Sequence, residues 1–247
     1  MLLAIHGLGG DRGSMRAYLE GAVPPGVQVL APDLRAHGAN PLVGEPDDFA
    51  LEALAAEVAD ELVRVGDGSP VTIVGVSLGA AIAASIARSG RFPLDRVALV
   101  RPAFTDVALP DHLGVFPVIG RLLGERRPAR AWEELQRTGA WRAIAHESLA
   151  HANALELQLT QPLAAERRIR LIEAPRNAAY RPGELRIPAP TVVLASPRDP
   201  IHPLHVAEAW RDELGCRMLV SPPRDAGEEA MYAWFRQQLG SFLVGIR

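Results

Sequence analysis

One stretch constrains this chain more than any other: Val71-Thr72-Ile73-Val74-Gly75-Val76-Ser77-Leu78-Gly79-Ala80-Ala81. A β-branched apolar run enters it and an alanine-rich helical run leaves it, with a serine between two glycines where they meet. Gly-x-Ser-x-Gly alone is a weak pattern, since both residues are common. Between a strand and a helix it describes a sharp turn that lifts the Ser77 hydroxyl above a sheet edge. Gly75 and Gly79 leave room for that strained backbone to approach its neighbours, where a Cβ would collide. The hydroxyl would also lie at a helix N-terminus, whose dipole favours developing negative charge. An ordinary glycine-rich turn is the competing reading, and the flanking runs argue against it.

Two loops extend the pattern. Ile5-His6-Gly7-Leu8-Gly9-Gly10 follows the first apolar run and offers backbone N–H groups to an anionic oxygen. The expected donors are Leu8 and, after the serine, Leu78. Ala31-Pro32-Asp33-Leu34-Arg35-Ala36-His37-Gly38 follows the second run.

Short apolar runs alternate with helical patterns throughout, which predicts βαβ units and a parallel sheet. Strands are expected at 1–5, 27–31, 71–76, 96–100, 191–195 and 217–221. A helix between the second and third carries Leu51, Leu54, Val58, Leu62 and Val65 on one face, with Asp47 or Asp48 as its cap. The last helix, 228–244, is expected to bury Met231, Trp234, Phe235, Leu239, Phe242 and Leu243. Residues 106–186 break the rhythm: they carry no convincing strand and read as helices near 116–123, 131–137, 141–159 and 163–172. The expected organisation is therefore a core of 1–105 and 187–247 with 106–186 inserted as a helical cap. Ligands in open α/β sheets bind beyond the carboxyl ends of the strands, which favours a cap over a mere helical excursion.

Composition narrows the chemistry. All 26 Lys and Arg residues are arginine, which excludes a lysine Schiff base and a P-loop lysine. Net charge of −3 and an aromatic content of 5% give no footprint for nucleic acid or an anionic membrane. Cys216 is the only cysteine, so neither a disulfide framework nor a Cys-x-x-Cys site is available. The first residues have no basic flank and no cleavage site of a signal peptide, so a cytoplasmic location is expected. No cofactor is called for. His202-x-x-His205 has metal-ligand spacing but no third ligand in evidence, so no metal is expected.

The order His6-Gly7, Asp33-x-Arg35-x-His37-Gly38, Gly75-x-Ser77-x-Gly79, a helical insertion, and then Ser196-Pro197-Arg198-Asp199 resembles the α/β-hydrolase superfamily. The resemblance covers nearly the whole chain and implies a doubly wound, mostly parallel sheet. It also implies Ser77 as nucleophile and Asp199 as the acid of a triad, although Asp199 could instead be a loop cap or a partner of Arg198. Two departures stand out. The family usually has a two-strand hairpin before the His-Gly strand, and the sheet expected here is six-stranded and wholly parallel, with 27–31 at an edge. Exposed edges invite pairing or covering, so a homodimer contact or a covering segment is expected there. The family also places a histidine after the last strand. Here that segment reads Ser221-Pro222-Pro223-Arg224-Asp225-Ala226-Gly227-Glu228-Glu229, and no histidine follows His205.

His202, three residues beyond Asp199, is the candidate replacement, because triads are defined by geometry and not by chain order. The alternative is a loop histidine bonded to backbone. Asp225 and Glu228 stand near the vacant position, but a carboxylate is a weak base for serine. His112, His146 and His151 are expected to be surface or helix-packing residues. His6 belongs to the oxyanion loop. With Arg35, Arg101 and Arg198, all at the sheet's carboxyl edge, it is counted among the residues bordering substrate. Those arginines could equally pair with Asp33, Asp106 and Asp199. The expected activity is acyl cleavage or transfer on a small organic ester, thioester or lactone. The alternatives are a non-hydrolytic lyase, cyclase or isomerase reaction in the same pocket, or an inactive small-molecule binder.

Overall fold

The computed structural model describes residues 1–245 of the chain. Among them the strands are β1 Leu2–Ile5, β2 Val29–Leu30, β3 Val71–Val76, β4 Leu94–Val100, β5 Thr191–Ala195 and β6 Arg217–Val220. Every pairing is parallel and the order is β2-β1-β3-β4-β5-β6. The six expected strands are all present, and β2 lies at an edge as the sequence predicts. It is shorter than expected, because only Val29 and Leu30 pair with Leu2 and Leu3.

Alternate residues of the central strands feed two cores, as the two-residue side-chain period of a strand requires. Leu3, Ile5 and Ile73 pack with α2 (Leu51–Val65), α3 (Leu78–Arg88) and α10 (Leu204–Leu214). Leu2, Ala4, Val74 and Val76 pack with α1 (Arg16–Leu19) and α11 (Glu228–Leu243). Burial on both faces explains why these strands read as continuous apolar runs. In α2 the expected face is buried except Val65, which ends the helix exposed. Its start differs from the expectation. Glu45 and Asp48 cap a short 3-10 turn, Pro46–Phe49, and α2 follows it from Ala50 without a side-chain cap.

Between β4 and β5 lie α4 (Val115–Glu125), α5 (Pro128–Gln136), α6 (Gly139–Glu147), α7 (Leu149–Ala154), α8 (Glu156–Thr160) and α9 (Ile169–Glu173). The single helix expected at 141–159 is three. Ser148 adopts an extended backbone and its hydroxyl accepts the His151 N–H, so the chain stops one helix and caps the next. The helix expected at 163–172 is reduced to α9, with Leu163 at a φ of 58° ahead of it. Arginines lace this segment to the loop after β2. Arg167 donates to the carbonyls of Gly38 and Asn40 at 2.7 and 3.0 Å. Buried Arg170 donates to the carbonyl of Ala36 and to Gln161. Burial and the neighbouring Arg167 lower its pKa to about 10, so it still carries its charge at neutral pH. No described helix is long and apolar enough to cross a membrane.

Candidate active site

The turn from β3 into α3 is as tight as its glycines suggest. Ser77 holds φ 55° and ψ −112°, a conformation that costs a non-glycine residue on the order of 1–3 kcal/mol. A Cβ at Gly75 would sit 2.2 Å from the Gly79 carbonyl oxygen, and one at Gly79 would sit 2.1 Å from that of Ile5. Gly7 keeps the opposite wall open, since its absent Cβ would lie 3.2 Å from the Cβ of Ser77. The strain is thus held by β1 on one side and by the first turn of α3 on the other.

Ser77 opens on a cavity of about 330 Å³ whose lining includes Leu8, Phe116, Leu155, His202 and Tyr232. His202 Nε2 stands 2.9 Å from Ser77 Oγ, and His202 Nδ1 stands 3.0 Å from Asp199 Oδ2. The loop after β5 makes this possible. The Ile201 and His202 amides both donate to Asp199 Oδ1 at 3.1 Å, which curls the loop so that the imidazole turns back toward the serine. Asp199 itself lies fully buried behind the histidine.

Other groups converge on the same carboxylate. Arg101, just past β4 at a φ of 49°, donates from Nε to Asp199 Oδ2 at 2.9 Å, and its Nη2 lies 2.6 Å from that oxygen. Nη2 also lies 3.0 Å from His202 Nδ1 and 3.3 Å from His151 Nε2, while Nη1 donates to the Tyr18 hydroxyl at 3.1 Å. His151 Nε2 lies 3.3 Å from Asp199 Oδ2. Its Nδ1 lies 2.8 Å from the Ser148 hydroxyl, which donates to Asp225 Oδ1 at 2.9 Å.

Burial alone would raise the Asp199 carboxyl, but Arg101, His202 and His151 hold it well below the usual carboxylate range. For His202, burial is the largest influence and lowers the imidazole. Asp199 raises it, Arg101 lowers it again, and the result is about 4. At neutral pH the imidazole is therefore uncharged, which is the form a general base requires.

A family profile described as Alpha/beta hydrolase family matches residues 2–234. The chain belongs to the alpha/beta hydrolase family. Solved structures share its fold at low sequence identity. A thermophilic esterase from Thermogutta terrifontis is 21% identical, with 98% of this chain and 88% of that one covered and a TM-score of 0.71. MGS-M2, an alpha/beta hydrolase enzyme from a deep-sea metagenome library, is 14% identical over 100% and 90%, with a TM-score of 0.74. The RedJ thioesterase of prodiginine biosynthesis in Streptomyces coelicolor is 18% identical over 97% and 84%, with a TM-score of 0.63. No curated protein matches the chain in sequence.

The segment after β6 carries Asp225, just ahead of α11. Asp225 reaches inward through Ser148 to His151. The structure gathers Ser77, His202, Arg101 and Leu8 at the cavity, with Asp199 buried behind His202, and the Leu78 amide begins α3 beside them. As the first residue of a helix, Leu78 has no intrahelical acceptor for that N–H.

Three sequence candidates lie elsewhere. His6 is buried behind the loop: its Nε2 accepts the Leu34 N–H, so its Nδ1 carries the proton and donates to the Gly7 carbonyl. Arg35 turns to Glu57, at 2.8 Å from Nε, and to Asp48. Arg198 is exposed on the Glu147 carbonyl and lies 3.9 Å from Asp225. Their position at the sheet edge was readable, but the direction of their side chains was not.

His151 is the residue that sequence reasoning passed over, since it is buried at the cavity and touches both Arg101 and Asp199. Its only sequence signal was Ser148-x-x-His151, a cap spacing that fixes where α7 starts but not what it faces.

Proposed function

We propose that the chain is a serine-nucleophile hydrolase or acyl-transfer enzyme acting on a small organic ester, thioester or lactone, with His202 as a relocated base. The observation that carries this reading is the line from Asp199 Oδ2 through His202 to Ser77 Oγ, with gaps of 3.0 and 2.9 Å. Both are within hydrogen-bond reach for a nucleophile and its base. With Nδ1–H donated to Asp199, the Nε2 lone pair accepts the serine proton as Oγ attacks the substrate carbonyl. Negative charge moves to the carbonyl oxygen, which the amides of Leu8 and Leu78 would receive. His202 then returns the proton to the leaving group, and water repeats the cycle on the acyl-enzyme.

The helices of 106–186 serve in this reading as the cap. Gln158 and Gln161 of this segment donate to the carbonyls of Leu8 and Gly9, so the segment holds the oxyanion loop. The esterase and thioesterase described among the structural neighbours fit the same class.

A fluorophosphonate probe tests the reading. Wild-type protein is expected to take up one equivalent on the peptide carrying Ser77, and Ser77→Ala none. Absence of labelling at high probe concentration would overturn acyl transfer and leave the carbonyl-polarising or binding alternatives.

A further inference from the structure

Asp199 Oδ2 is asked for more than it can give. A carboxylate oxygen offers about two lone-pair sites. Four nitrogens approach this one: Arg101 Nη2 at 2.6 Å, Arg101 Nε at 2.9 Å, His202 Nδ1 at 3.0 Å and His151 Nε2 at 3.3 Å. The two shortest contacts belong to Arg101, which is buried and permanently charged. Arg101 Nη2 also faces His202 Nδ1 at 3.0 Å. A guanidinium only donates, so a proton on Nδ1 meets a donor. Arg101 therefore competes with Asp199 for His202 Nδ1 and lowers the share of imidazole whose Nε2 lone pair is free to take the Ser77 proton.

Resting on the serine-nucleophile reading, we propose that Arg101 is a positioning residue that draws Asp199 away from His202. The site would then acylate chiefly carbonyl compounds carrying a good leaving group, namely thioesters and esters of acidic phenols. His202 Nε2 takes the serine proton as the Oγ–C bond forms, and with the base weakened that step leans on a strongly electrophilic carbonyl carbon. The C–S or C–O bond breaks easily, and the serine proton, held briefly on His202, passes to the departing sulfur or oxygen.

The charged and titratable groups around His202 are few. Asp199 lies on its own loop, Arg101 follows β4, and His151 comes from α7. Tyr18 of α1 and Tyr232 of α11 stand behind Arg101, Asp225 stands behind His151, and His112 senses Asp199 at longer range. Arg224 of the segment after β6 lines the same cavity and pairs with Glu228, so among the described residues Arg101 is the fixed positive charge in contact with the imidazole.

The test compares 4-nitrophenyl butyrate, ethyl butyrate and a series of aryl butyrates in wild type, Arg101→Met and Arg101→Lys. In wild type, log(kcat/KM) is expected to fall steeply as the leaving-group pKa rises. In Arg101→Met the slope flattens and the preference for the nitrophenyl over the ethyl ester narrows by about tenfold or more, within the range general-base catalysis supplies. Its acidic pH limb also moves up from near 4. Arg101→Lys, which keeps a charge but loses the fork, lies between.

A purely structural arginine would lower both substrates together and leave slope and limb unchanged, and that result overturns the proposal. If Arg101→Met does not fold, the wild-type aryl series decides alone, since a flat slope contradicts the proposal. Fluorophosphonate labelling of Ser77 in the same preparation separates the two failures. An unlabelled serine sinks the hydrolase reading, whereas a labelled serine with a flat slope sinks only the role of Arg101.

Discussion

Arg101 Nη2 and His202 Nδ1 stand 3.0 Å apart, two nitrogens turned toward one oxygen of Asp199. The histidine of this site is thus both attached to its acid and rivalled by a neighbouring cation. A base held this way differs from a free imidazole in a measurable manner.

The first consequence is a displaced pH profile. In the proposed mechanism His202 acts only when neutral, and burial together with Arg101 lowers it to about 4. The account predicts a kcat/KM that stays flat from pH 8 down to 5 and falls only near 4, measured with 4-nitrophenyl butyrate over short incubations. A limb near 6.5, the value of an unperturbed histidine, would contradict it.

Stability should begin to fall at a higher pH than activity does as acid is added. Burial lowers His6, His112 and His202, and lowers His37 well below its ordinary value. Below about pH 6.5 the unfolded chain binds protons that the native chain refuses, so stability falls as pH falls toward 4. The lowered carboxylates Asp33 and Asp199 extend the loss below their unfolded pKa, near 3.8. Calorimetry is expected to give a lower Tm at pH 5 than at pH 7.5, with charge screening held constant by salt. An unchanged or higher Tm at pH 5 would show that these imidazoles are not buried as described.

Gly79→Ala should damage the fold and not merely the chemistry. The added methyl would lie 2.1 Å from the Ile5 carbonyl oxygen and 2.7 Å from that of His6, both backbone atoms of the central sheet region. Overpacking of this kind typically costs 1–3 kcal/mol, and here backbone must move to relieve it. A denaturant midpoint equal to wild type would refute the close approach.

Arg35→Gln separates the arginines from one another. Arg35 pairs with Glu57 and Asp48, away from the cavity. Its replacement is expected to lower Tm by a few degrees while kcat/KM stays within about a factor of two. A large rise in KM would place Arg35 on the substrate after all.

Much of this molecule could be read from its residues. The strands were legible because burial on both faces demands unbroken apolar runs, and Ser77 was legible because its two glycines answer a steric need that the strand and helix around it create. The closeness of His202 to Asp199 was legible because only Pro200 and Ile201 separate them in the chain. His151 was not legible. Its approach to Asp199 depends on how α6, α7 and α8 fold back, and Ser148 broke a helix that apolar spacing alone reads as continuous. Arg35 and Arg198 failed for a related reason: a position at the sheet edge fixes the backbone, while pairing with Glu57 or the Glu147 carbonyl decides where a long side chain goes.

The central claim is that His202 serves Ser77, and rapid-quench mass spectrometry with 4-nitrophenyl butyrate tests it most directly. Wild type is expected to show a butyryl adduct on the peptide carrying Ser77. His202→Ala should form that adduct slower by roughly 10²–10⁴, the range of general-base catalysis and less than loss of a full triad. Acylation at the wild-type rate in His202→Ala, or an adduct on any other residue, would contradict the account.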